Sequence, residues 1–190
     1  AALMGTAGVS AGADVVLLQT QTASDSANLD FTSGIDSTYG EYIFRFYDIN
    51  AATDAIDFSF QANAAGGSGF NETMTTSFFR TYIDEDEEFG QGVGYEDTWD
   101  QAEGTGYQFL TYDQGNAADE SAAGELHLFN PSSTTYAKHF YSRISYCHYG
   151  DHMMEAYVAG YINTTSAIDE ISFKMASGNF DGTIKMWGVK

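Results

Sequence analysis

The stretch Glu41-Tyr42-Ile43-Phe44-Arg45-Phe46-Tyr47 alternates strictly. On an extended chain Tyr42, Phe44 and Phe46 share one face, and Glu41, Ile43, Arg45 and Tyr47 share the other. A period of two in a run dense with aromatic and β-branched side chains marks a strand between two different environments. The pattern recurs along the chain. Ile56, Phe58 and Phe60 alternate with Asp57, Ser59 and Gln61; Ile171, Phe173 and Met175 alternate with Ser172, Lys174 and Ala176; Ile184 and Met186 alternate with Thr183, Lys185 and Trp187. Further runs over 15–22, 29–32, 72–83, 107–112, 125–129, 136–149 and 153–162 bring the expected total to about ten or eleven strands. Turn formers punctuate them, as in Asp48-Ile49-Asn50, Asn130-Pro131-Ser132-Ser133 and Ser177-Gly178-Asn179. No stretch sustains helical periodicity, and no repeat points to a propeller or solenoid. The expected fold is all-β, a jelly-roll-like antiparallel β-sandwich. A single domain is expected over 15–190, after a flexible Ala/Gly-rich lead-in over 1–14.

Composition narrows the function classes. The chain has 190 residues, with 27 Asp and Glu against 7 Lys and Arg, a net charge of −20. Nucleic-acid binding needs a basic face, so DNA and RNA are excluded as partners. Anionic membranes are disfavoured for the same reason, and no apolar run is long enough to insert in a bilayer. A hydrophobic content of 43% is too high for a disordered acidic tail. The one cysteine can form neither an internal disulfide nor a Cys-based zinc site.

The charge is not spread evenly. Between Arg80 and Lys138 there is no base, yet 13 acids fall there, including Asp84-Glu85-Asp86-Glu87-Glu88. This interval reads as a long, exposed acidic loop excursion. Asp84, Asp86 and Glu88 alternate ahead of Gly90, and their carboxylates are candidate ligands for calcium. The run is not an EF-hand: glycine stands at the seventh position rather than the sixth, and position twelve is Tyr95.

No catalytic constellation emerges. His127, His139, His148 and His152 match no ligand spacing, and Cys147 beside His148 lacks the geometry of a nucleophile with its base, because neighbouring strand residues point to opposite faces. Cys147 reads instead as a small buried hydrophobe. The chain is expected not to be an enzyme. Most aromatic rings alternate and so default to core packing. Trp99, inside the acidic interval, and Trp187, sharing a strand face with Lys185, are the two rings a core explains least, and are candidates for stacking on a ligand.

Four segments, Asp30 to Tyr39, Leu126 to Ser132, Ala159 to Ile168 and Ser177 to Lys185, resemble virion surface proteins of marine tailed phages, particularly those of cyanobacteria. The resemblance runs from about Val15 to Lys190. It implies a decoration, fibre or appendage component on the virion surface, working outside the cell by assembling with itself, as a homotrimer or another symmetric oligomer, and with other virion proteins. The alternative it leaves open is a carbohydrate- or host-receptor-binding module of a tail fibre, with a host-surface glycan as ligand. No functional residue carries over, because the family offers no defined site.

Overall fold

The computed structural model describes residues 14–86 and 90–190. Among them there is no helix. Thirteen strands follow in chain order: β1 Val15–Ser26, β2 Leu29–Phe31, β3 Glu41–Ala51, β4 Phe58–Ala64, β5 Met74–Asp84, β6 Gln91–Tyr95, β7 Ala102–Gly104, β8 Gln108–Phe109, β9 Ala122–Phe129, β10 Lys138–His148, β11 His152–Ile162, β12 Ile168–Met175 and β13 Phe180–Val189. They form two antiparallel sheets. The larger runs β1-β13-β3-β9-β10-β11-β5-β6, with β7 also paired to β5; the smaller runs β2-β12-β4-β8. The two pack as a sandwich. Of the lead-in expected over 1–14, residues 1–13 lie outside the described residues; the carbonyl of Asp14 accepts the Lys190 N–H at 3.0 Å.

The even-numbered faces of the opening stretch go inward. Tyr42, Phe44 and Phe46 are fully or almost fully buried. Phe173 of β12 sits at the centre of the sandwich, with ring centroids 5.3 Å from Phe44 and from Phe46, 6.0 Å from Phe31 and from Phe58. Edge-to-face and offset contacts of this kind add to the gain from burying the rings' area. β10 alternates between buried and exposed along most of its length, because one face meets this core and the other faces solvent.

β4 departs from the period-two reading. Its polar set, Ser59, Gln61 and Asn63, is buried along with Phe58 and Phe60. The small sheet is covered on its far side by the segments around 72 and 105. Gln61 Nε2 donates to the carbonyls of Glu72, Thr105 and Gly106 at 3.0, 3.2 and 2.7 Å, and Ser59 Oγ donates to Lys174 O at 2.8 Å. Buried polar groups need such partners, and here backbone supplies them.

The acidic interval is largely woven into the sandwich. β6 and β7 extend the large sheet alongside β5, and β8 joins the small one. Asp84, expected on an exposed loop, closes β5 and is only 4% exposed. β3 is irregular on both flanks: the register shifts between Phe46 and Ile49 against β9, and between Asp181 and Thr183 against β13. Gly182 has φ +138 there, and a Cβ at that position would meet Asp48 O at 2.8 Å. No other residue fits so close an approach without strain.

Candidate functional site

Among the described residues, no further layer covers the outer face of the large sheet. The strand registers line up its outward side chains in transverse rows. One row runs Trp187, Ile43, His127, Tyr141, Ala159, Ser77; the next runs Lys185, Arg45, Glu125, Arg143, Tyr157, Phe79. Large rings on this face stand beside small residues, and the small ones leave hollows.

Three hollows join end to end. The first, about 500 Å³, lies between Phe129, His139 and the 130–137 turn with Tyr136. The second, about 450 Å³, shares Phe129 and His139 with it and continues past Tyr141 and Tyr161 over Ser77, Ala159 and Gly160. The third, about 290 Å³, shares Tyr141 and Ala159 with the second and ends at Phe79, Tyr157 and Arg143. From the His139 row to the Arg143 row the trough spans four residue steps along β10, about 13 Å at the rise of a strand. Its floor is small and its walls are aromatic. Among the described residues, no Asp or Glu lines any of the three hollows. On a chain of net charge −20 that is a local reversal of the surface character.

The trough's rings are held in place. His127 stacks on Tyr141 at 4.5 Å, and its Nδ1 meets Glu41. Burial, reinforced by Glu41 and Glu125, raises the Tyr141 hydroxyl above the ordinary tyrosine range and keeps it neutral. Phe79 and Tyr157 stack face to face at 4.8 Å. The Tyr157 hydroxyl donates to Glu155 Oε2 at 2.6 Å, and Arg143 pairs with the other oxygen of Glu155. Tyr157 and then Arg143 hold the Glu155 carboxyl below the usual range. At the opposite end, Lys138 is buried under the 130–137 turn and its ammonium donates to the carbonyls of Tyr136 and Thr164 at 2.9 and 3.0 Å. That anchor fixes the turn that walls the first hollow.

A second concavity of about 310 Å³ opens at one end of the sandwich, against the inner face of β5, β10 and β11. Arg80 occupies its centre. Its Nε lies 2.7 Å from Glu96 Oε1, and its guanidinium rests 4.4 Å from the Tyr112 ring centre and 5.1 Å from that of Tyr82. Trp99 packs on the other side of Tyr112 at 4.5 Å. Beneath, burial pushes the Asp57 carboxyl up to about 6, although the Asp113 N–H donates to it at 2.8 Å. The Trp99 N–H faces the same carboxylate close enough to favour its charge, yet outside hydrogen-bond geometry. Burial, then His152 and Arg80, push His148 down to about 4. Arg80, paired with Glu96 and resting on Tyr112, is a clamp that holds the 96–113 segment against the large sheet.

The expected site residues fall in separate places. Asp84 pairs with His152 across β5 and β11, with Oδ1 3.4 Å from Nδ1. Asp86 is in the exposed turn that follows, and Glu88 lies outside the described residues. Among the described residues, no three His, Cys, Asp or Glu side chains gather where one metal ion could be held. Trp99 is packed against the core. Trp187 does lie on the outer face, but the Arg45 guanidinium rests on its ring at 5.7 Å. His148 and His152 are brought together by the β10–β11 hairpin, stacked at 5.1 Å. Cys147, expected as a buried hydrophobe, is half-buried on the outer face opposite Met153, because the odd-numbered side chains of β10 point outward. The trough residues Phe129, His139, Tyr141 and Tyr161 form no recognisable motif in the sequence. Their only signal was the outward half of an alternating strand.

No family model matches this sequence, and no curated protein or solved structure matches it.

Proposed function

We propose that this chain is a non-catalytic glycan-binding module that holds an extended, uncharged saccharide in the trough on the outer face of its large sheet. The observation that carries the reading is the continuity of three hollows with aromatic walls, a small-residue floor and no carboxylate. Sugar rings present apolar C–H faces that stack on Tyr and Phe, while hydroxyls along their edges take hydrogen bonds from side chains such as Ser77, Asn130 and His139. A long shallow trough favours a polymer over a single ring. Calorimetric titration with neutral hexose oligomers of increasing length tests it. Affinity is expected to climb with length, and Tyr141→Ala or Phe129→Ala to weaken binding roughly tenfold or more, while Asp119→Asn leaves it unchanged. No heat with any neutral oligomer, or full binding by Tyr141→Ala, would sink the reading.

The second reading is the assembly component of a virion surface that the sequence resemblance implies. What favours it is the margin of the large sheet at β1, where Val15 and Leu17 are 44% and 45% exposed and Leu17 stands opposite Trp187. An apolar margin of this kind suits packing against a neighbouring copy. Light scattering decides: a symmetric oligomer supports this reading, and a monomer at tens of micromolar counts against it.

A further inference from the structure

The other margin of the large sheet, β6, has a geometry of its own. In an antiparallel pair, residues alternate between facing the partner strand and facing away from it. The Asp84 N–H donates to Gly90 O at 3.0 Å, and the Glu96 N–H donates to Phe78 O at 3.0 Å. Between these two bonds the register runs unbroken from Ile83↔Gln91 to Phe79↔Tyr95. The even-numbered residues of β6 therefore bond to β5. Gln91, Val93 and Tyr95 turn their N–H and C=O groups outward, and among the described residues no strand pairs with them there.

Such an edge is normally blunted by charge, proline or a bulge. β1 at the opposite margin is blunted: it carries two register shifts and a positive φ at Asp25. β6 has none of these. Its sequence Gln91-Gly92-Val93-Gly94-Tyr95 contains no charge and no proline. Val93 and Tyr95 are 75% and 63% exposed. Acidic residues flank it at both ends, with Glu85 and Asp86 exposed before it and Asp97 exposed after it.

We infer that β6 is a docking edge for an extended, basic peptide segment of another protein, which adds to the large sheet as a further antiparallel strand. Backbone bonding at Gln91, Val93 and Tyr95 supplies the register, apolar side chains of the segment lie over Val93 and Tyr95, and its Lys or Arg residues reach the acids at the two ends. Charge decides the occupant. A second copy aligned on β6 in antiparallel fashion would set the Glu85–Asp86 end of one chain against the Asp97 end of the other, carboxylate to carboxylate. A basic segment meets the same groups with opposite sign.

The test uses a synthetic peptide alternating Lys and Val, with two comparison peptides: one with Glu for Lys, and one N-methylated at its valines so that it cannot donate backbone hydrogen bonds. Binding is read by fluorescence anisotropy at low salt, and amide exchange is followed by NMR on the whole chain. The Lys–Val peptide is expected to bind and to slow exchange at Gln91, Val93 and Tyr95, and the other two to bind at least tenfold more weakly. Val93→Pro removes one outward N–H without touching the β5 ladder, and is expected to weaken binding to the same degree. Equal binding of the N-methylated peptide means attraction by charge alone and overturns the inference. So does protection of these amides that grows with protein concentration in the absence of peptide, which would assign the edge to a second copy.

Discussion

Asp57 and His148 face each other's chemistry across the end cleft, and their effects on stability run in opposite senses. The Asp57 carboxyl is raised from 3.8 to about 6 by burial. Its stabilising contribution is complete below the unfolded value and is lost as pH rises through about 6. His148 is lowered from 6.5 to about 4, so its contribution is complete above 6.5 and is lost as pH falls through about 4. Between pH 6.5 and 4 the two offset one another. Replacing Asp57 by Asn keeps the acceptor for the Asp113 N–H and removes the buried charge. At pH 7.5 this variant is expected to gain on the order of 2–3 kcal/mol, and near pH 4 its advantage disappears. Urea denaturation at the two pH values checks it; a variant less stable than the parent at pH 7.5 would contradict the assignment. Neither residue was legible as a buried pair. Asp57 stands in sequence as the polar member of an alternating run, and only the fold reveals that this side of β4 is covered too.

At the scale of elements, the trough depends on how closely β5 and β11 approach. Gly160 forms part of its floor. A Cβ there would lie 2.5 Å from Thr75 O and 2.8 Å from Thr76 Cγ2, so the two strands would have to part. Gly160→Ala is expected to cost about 1–3 kcal/mol, seen as a lower urea midpoint; an unchanged midpoint would mean the ladder yields freely there. The strands themselves were readable. The alternation of 41–47 and of 136–149 describes β3 and β10 well, because each divides a core from solvent. The same alternation says nothing about which face a second layer covers. Alternation alone therefore gives the rings of Phe79, Tyr141, Tyr157 and Tyr161 to packing, while Trp99, conspicuous in sequence for its place among acids, packs against the core. Whether a ring is open to a ligand depends on which outer face carries a further layer: the segments around 72 and 105 cover the four-stranded sheet, and among the described residues nothing covers the nine-stranded one.

For the whole molecule, electrostatics is dominated by like charge. A net −20 on 190 residues raises the energy of the compact state through self-repulsion. Local pairing reduces it where bases are available: Arg80 with Glu96, Arg143 with Glu155, and Arg45 with Glu125 at 3.5 Å. With 7 bases, most carboxylates have no such partner. Melting temperature is expected to climb by several degrees as sodium chloride is raised from about 0.01 to 0.5 M, as the screening length contracts from roughly 30 Å to under 5 Å. A flat or falling profile would show that the pairs above outweigh the repulsion. Charge was fully legible from composition; the absence of carboxylates from the trough lining was not, since that depends on which of the scattered acids the registers carry to the outer face.

The ladder between β1 and β13 joins Val15 to Val189 and Ala23 to Gly182. During synthesis the twelve residues of β1 leave the ribosome long before their partner exists, and β3 likewise waits for β13 on one flank and β9 on the other. The β1 and β3 flanks that pair with β13 can therefore close only after β13 has been made. Their closure is limited by joining distant parts of the chain, and slow relative to a protein built from neighbouring hairpins. Until then β1 is open to pairing with another chain, and the net charge of −20 opposes the approach of a second copy.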